Sequence, residues 1–234
     1  MIFSFSRLNL YEQCPYRFFN KYVLGKEEPV TEPLALGKAV HKAIESKRNL
    51  VSHDEAVLEG YMEAGCHPDI RYDDISQLAT AAPVHFSGET EKYFKLPLEE
   101  DGPVLQGYID VVQPDGSIID WKTNRVPYGA TETKQLALYC WAVNQLKTAS
   151  CSSAVQGTYF FLRFRKKESF LFTSQDMEEA RIWALNTANE IEEKLELYSM
   201  FPDKYKELFP ANPSRLCSHC PFAIECTRDF TPIF

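Results

Sequence analysis

Two aspartates and a lysine interrupt an otherwise apolar stretch, Gly107-Tyr-Ile-Asp-Val-Val-Gln-Pro-Asp-Gly-Ser-Ile-Ile-Asp-Trp-Lys-Thr-Asn124. A carboxylate among Ile, Val and Trp is costly to bury unless it is paired or binds a cation. Asp110 and Asp120, with Lys122 two positions on, therefore read as a small oxygen-ligand site for a hard divalent metal. A second candidate chemistry lies at the other end of the chain, in Cys217-x-x-Cys220-x5-Cys226. Three closely spaced thiols in a tail with little helical pattern (residues 209–234) cannot build a core, so metal ligation explains them best. A fourth ligand is needed. Of Cys14, Cys66, Cys140 and Cys151, only Cys14 stands beside a proline-broken helix end. His219 would make a zinc site instead, but its place between Cys217 and Cys220 gives poor geometry.

The elements that must position these groups follow from periodicity. Residues 108–113 and 117–121 form two strands, joined at Pro114-Asp115-Gly116, where Pro presets φ and Gly supplies a positive one. Residues 91–98 precede them as a third antiparallel strand. Ser4 or Ser6 caps a first helix running to Tyr22, which Pro15 breaks after Cys14. A second helix, 36–45, carries Leu36, Val40, Ala43 and Ile44 on its apolar face with His41 beside it. A lone histidine there is more often a satisfied core side chain than a ligand. Gly37 costs that helix about 1 kcal/mol relative to Ala, which suggests close backbone packing. Segments 54–65 and 69–88 also read as helical. Residues 134–146 form a helix that sets Gln135 and Tyr139 on one face, four residues apart. Strands at 154–162 and 169–173 and a long helix at 174–200 complete an α/β core. The expected organisation is a single domain, 1–234, with a helical part over 1–90, a catalytic core over 91–175, and a long helix plus cysteine-rich segment over 176–234.

The 234 residues suffice for a full core, and charged residues interrupt every apolar run before membrane-spanning length. Seven cysteines, an odd number, and an N-terminus without a signal-peptide pattern point to a reduced cytoplasmic protein rather than a disulfide framework. A net charge of −8 argues mildly against nucleic acid, so any DNA affinity must come from local groups. The candidates are Arg7, Arg17, Lys21, Arg125, Lys134 and the cluster Arg163, Arg165, Lys166 and Lys167, for which a solvated hairpin tip is an equal alternative.

Taken together, Gly37-x-x-x-His41, Gly107-Tyr-Ile-Asp110, Ile119-Asp120-Trp121-Lys122, Gln135-x-x-x-Tyr139 and the cysteine arrangement resemble the RecB-type nuclease family of the PD-(D/E)xK superfamily. The likeness is to its iron–sulfur branch, which includes CRISPR-associated exonucleases and AddB-type nuclease domains. The resemblance spans nearly the whole chain. It implies a restriction-endonuclease-like core, a mixed central sheet flanked by helices, with an N-terminal helical region and a C-terminal iron–sulfur loop. It also implies that His41, Asp110, Asp120 and the Trp121 carbonyl bind Mg²⁺ or Mn²⁺ and that Lys122 orients or deprotonates the attacking water. Gln135 and Tyr139 would then steer Lys122 or the DNA backbone, and Cys14, Cys217, Cys220 and Cys226 would hold a 4Fe-4S cluster. The expected activity is exonucleolytic hydrolysis of DNA, on single-stranded ends, in CRISPR adaptation or recombination and repair, with a helicase or CRISPR adaptation proteins as partners and no membrane. Alternatives are a non-catalytic iron–sulfur DNA-binding subunit and a zinc-stabilised adaptor.

Overall fold

The computed structural model describes residues 1–83, 88–146 and 153–230. Within them the chain forms two compact units, each built from separate stretches of sequence.

The larger unit comprises residues 30–94 and 108–181. Its N-terminal part is a three-helix layer, α3 (Glu32–Arg48), α4 (His53–Glu63) and α5 (Tyr72–Ala81). Ala35, Leu36, Ala39, Val40, Ala43 and Ile44 line α3 at helical spacing and are buried in one cluster. The Gly37 expectation fails: a Cβ there would meet only Thr123 Oγ1, at an ordinary 3.6 Å. The close approach is at Gly60 of α4, where a Cβ would strike the Ala39 carbonyl.

That cluster includes Val111, Ile119 and Trp121 from the sheet. The strands are β2 (Glu89–Pro97), β3 (Val104–Val112), β4 (Ile118–Lys122), β5 (Ala154–Phe161) and β6 (Lys166–Thr173). β2 pairs with β3, β3 runs antiparallel to β4, β4 parallel to β5, and β5 antiparallel to β6. The sheet is therefore mixed, and helix α6 (Gln135–Leu146) supplies the crossover between the parallel pair. The β3–β4 turn is as its residues dictate. Gly116 takes φ +83° and donates its N–H to the Gln113 carbonyl, while Asp115 Oδ1 accepts from the Ser117 N–H. The register Val111↔Ile119, continued by one pair, sets Asp110 opposite Asp120. Because Val111, Ile119 and Trp121 face the helical cluster, alternation sends Asp110, Asp120 and Lys122 to the other side of their strands. The Arg163–Lys167 cluster is part turn and part strand: Arg165 adopts φ +49° and β6 begins at Lys166.

The smaller unit comprises residues 1–29, 95–107 and 182–234. Its strand β1 (Ile2–Phe3) runs parallel to the start of β3. Ser4 caps α1 (Phe5–Gln13), accepting the Arg7 N–H at 3.3 Å, and Pro15 opens a separate turn, α2 (Pro15–Phe18), so Cys14 sits at the break. Phe19 stacks on Phe209 at 4.9 Å and meets Tyr198 edge-on, joining the N-terminal residues to the C-terminal segment. The helix α7 (Ser174–Met200) begins and ends as the sequence predicts. The C-terminal segment is more regular than its sequence suggests. After α8 (Tyr205–Leu208) it contains a 3₁₀ turn at Arg215–His219 and the helix α9 (Ala223–Phe230). The reason is tertiary: Tyr16 donates to Asp229 at 2.8 Å and meets the Phe230 ring edge-on at 5.1 Å. No helix among the described residues is long and apolar enough to cross a membrane.

Candidate active site

Asp110 and Asp120 are 8% and 3% exposed, so both carboxylates are removed from water and their partners decide the chemistry. Asp110 Oδ2 accepts the Trp121 backbone N–H at 2.6 Å, and its Oδ1 lies 3.2 Å from His41 Nδ1. His41 reaches in from α3, with Nε2 3.0 Å from the Trp121 carbonyl. The structure thus brings together His41, Asp110 and the Trp121 carbonyl from elements far apart in sequence. Asp120 makes a different contact: its Oδ2 is 2.6 Å from Lys122 Nζ, an ion pair without hydrogen-bond alignment, so this oxygen is buried with no hydrogen-bond donor.

Sequence reasoning missed Glu91. Its carboxylate joins His41 and Asp110 in a group whose ligand atoms all lie within 4.8 Å of one another, the set among the described residues suited to a metal ion. Glu91 sits in the acidic stretch 89–101, whose charge alone reads as a solvated surface. The available signal was its place on the strand preceding β3. The positive φ of Glu91, +49°, marks a local break in regular strand geometry at the site.

Burial and the Asp110 charge push the Glu91 carboxyl up to about 7. Burial likewise raises Asp120 to about 6, with Lys122 opposing and Asp110 adding. His41 would be lowered by burial, but Asp110 outweighs that and lifts it to about 9. Lys122 would also be lowered by burial, yet Asp120 beside it moves it upward, so the lysine stays protonated at neutral pH. The raised Glu91 and Asp120 carboxyls fit a divalent cation, which would lower both at once.

Lys122 is held on three sides. Besides Asp120, its Nζ donates to Gln135 Oε1 at 2.8 Å and lies 4.8 Å from the Tyr159 ring centroid. Tyr159, opposite Asp120 on β5, is anchored by a 2.7 Å bond to Thr133 Oγ1. Sequence reasoning did not single out Tyr159. Tyr139, on the same helix as Gln135, packs edge-on against Phe94 at 5.8 Å, and burial with the Asp120 charge pushes its hydroxyl up to about 12.

The thiols lie in the smaller unit. Cys14, Cys217 and Cys220 line one cavity with Arg17. Burial, and then the charges of Cys14, Cys220 and Cys217, raise the Cys226 thiol. No three of these sulfurs come within 4.8 Å of one another among the described residues. Cys151 lies outside the described residues.

Six of the nine candidate DNA-binding cations are already engaged. Arg7 donates to the Ile2 carbonyl, and Lys166 pairs with Glu168 at 2.6 Å. Arg17 and Lys21 pair with Glu28 at 2.7 and 2.5 Å, Arg125 pairs with Glu32 at 3.2 Å, and Arg163 donates to the Thr123 carbonyl at 2.9 Å.

A proton–cation competition at Glu91 follows. The folded carboxyl keeps its proton to a higher pH than the unfolded one, so stability falls as pH rises from the ordinary glutamate range through about 7. Glu91→Gln has no proton to lose and is expected to melt above the parent at pH 8 with chelator present. Mn²⁺ is expected to reverse that order, and its stabilisation of the parent to grow from pH 6 to 9 as the site gives up protons. Thermal melting with and without Mn²⁺ checks this. Equal responses of parent and variant would remove Glu91 from the site.

A family model for the PD-(D/E)XK nuclease superfamily matches residues 2–227. No curated protein sequence matches the chain. Among solved structures, a candidate exonuclease from Eubacterium rectale is 13% identical with a TM-score of 0.45, covering 94% of this chain and 86% of that one. The protein SSO0001 is 16% identical with a TM-score of 0.40, covering 96% of each chain.

Proposed function

The chain belongs to the PD-(D/E)XK nuclease superfamily, whose members use divalent metals, and on that premise we propose that it is a DNA exonuclease of the RecB-like iron–sulfur branch. The carrying observation is the buried Asp120–Lys122 ion pair beside the His41–Glu91–Asp110 group. An adaptor or a purely DNA-binding subunit has no need of so costly an arrangement.

His41, Asp110, Asp120 and the Trp121 carbonyl, joined by Glu91, would hold Mg²⁺ or Mn²⁺. When bound, the cation would supply Lewis-acid polarisation of the scissile phosphate and a more acidic water. Lys122, kept protonated, would act as a cation and hydrogen-bond donor to the phosphate and orient the attacking water. Gln135 fixes the Lys122 ammonium by its 2.8 Å acceptor, and the Tyr159 ring covers it. Tyr139 packs behind as a positioning residue. The role assigned to Cys14, Cys217, Cys220 and Cys226 is to hold a structural 4Fe-4S cluster that ties the chain's two ends together. We treat residues 1–234 as one nuclease domain in the cytoplasm, given single-stranded ends by a helicase or by CRISPR adaptation proteins.

The test is digestion, with Mg²⁺ or Mn²⁺, of single strands blocked at the 5′ or 3′ end beside a circular single strand. Expected is metal-dependent loss of linear strands, halted by one of the two blocks, with the circle intact. Cutting of the circle overturns strict end dependence, and absence of any cleavage favours the non-catalytic subunit.

A further inference from the structure

A groove in the larger unit opens from the metal centre: His41 and Glu91 line it together with Val30, Leu34 and Tyr108. Its two lysines are already neutralised, Lys38 by Glu63 at 3.0 Å and Lys42 by Glu45 at 2.9 Å. With carboxylates at its inner end and paired charges along it, the groove has little to offer a phosphate away from the cation. It offers aromatic surface instead. Tyr108 is 58% exposed and Tyr93 45% exposed, with ring centroids 5.1 Å apart and planes tilted by 47°. Tyr108 stands two residues before Asp110 on β3, and strand alternation sets both on one face. Tyr93 stands two residues after Glu91 on β2, and its ring contact with Tyr108 brings it to the same place. Two strand residues span about 6.7 Å, on the order of one backbone repeat of a stretched single strand.

We propose that Tyr108, backed by Tyr93, is the stacking platform for the unpaired base next to the scissile phosphate, and so selects single-stranded nucleic acid. The proposal rests on the nuclease function and assigns the side chains that select its single-stranded substrate. Aromatic side chains accept any base by its π-face, which requires no particular sequence. Inside a duplex both faces of each base are covered by its neighbours, so away from a blunt end only an unpaired base can lie on this ring.

The experiment compares parent, Tyr108→Ala and Tyr108→Phe in steady-state cleavage of a single-stranded oligonucleotide with Mn²⁺. The same strand carrying one abasic site, stepped along its length, is the second substrate. Tyr108→Ala is expected to lower kcat/KM about tenfold, the loss of one stacked base, with the effect in KM. Phe is expected to restore it. At one position the abasic site should cost the parent a similar factor and the Ala variant almost nothing, because the same contact is already gone. An unchanged KM in Tyr108→Ala, failure of Phe to rescue, or equal abasic penalties in parent and variant each overturn the platform while leaving the nuclease standing. A parent that does not cut DNA overturns the nuclease function and the platform with it.

Discussion

Replacing Lys122 with Ala, or Asp120 with Asn, is expected to slow Mn²⁺-dependent cleavage by about a thousandfold or more, since each group acts on charge that develops in the transition state. The two variants remove different things. Asp120→Asn takes away the buried carboxylate charge that the Lys122 ammonium meets at 2.6 Å. It also strands the Lys122 ammonium with Gln135 and the Tyr159 ring, so some loss of stability should accompany it. Lys122→Ala is the cleaner probe. Without the opposing charge of the lysine the Asp120 carboxyl moves further upward and takes up a proton more readily, which lessens the cost of leaving it without its partner. That variant should therefore fold, and melting curves serve as the control. Cleavage by either variant at the parent's rate would sink the assignment of this site.

The second large effect concerns Cys220. An iron–sulfur chain purified without oxygen is brown, and Cys220→Ser should bleach it and lower its melting temperature sharply. Cys14 and Cys217 stand roughly 200 residues apart, and in the chain-entropy view a crosslink closing so long a loop contributes about 5 kcal/mol. The aromatic contacts of Phe19 with Phe209 and of Tyr16 with Phe230 already hold the ends of the smaller unit together, so the Ser variant should lose stability without losing its fold outright. A colourless parent containing zinc would overturn the cluster and favour the single-ion alternative.

Membership of the PD-(D/E)XK superfamily and the coarse architecture are the parts that need no refinement. The α/β class, the mixed sheet with flanking helices, and the β3–β4 hairpin all follow from local signals: apolar alternation, a Pro-Asp-Gly turn and helical spacing. Element ends were less legible. The helix carrying His41 runs over Glu32–Arg48 rather than ten residues, and β3 starts at Val104, ahead of the alternating pattern. In each case packing extends an element past the point where its own sequence pattern fades.

Residue type and spacing alone mark which positions carry unusual chemistry. Asp110, Asp120 and Lys122 stand out because charge within apolar strands is costly, and Cys217, Cys220 and Cys226 because closely spaced thiols in a short tail cannot make a core. Only the tertiary structure decided what they meet. Glu91 is one acidic residue among many until β2 pairs with β3 and brings its carboxylate to His41 and Asp110. Asp120 and Lys122 lie two apart in sequence, but their ion pair is closed by Gln135 and Tyr159, from an adjacent helix and strand. The physical reason is range. Desolvation cost is a property of a residue and its immediate neighbours, readable along the chain, whereas ligation and charge pairing depend on distances of a few ångströms between segments that only folding brings together.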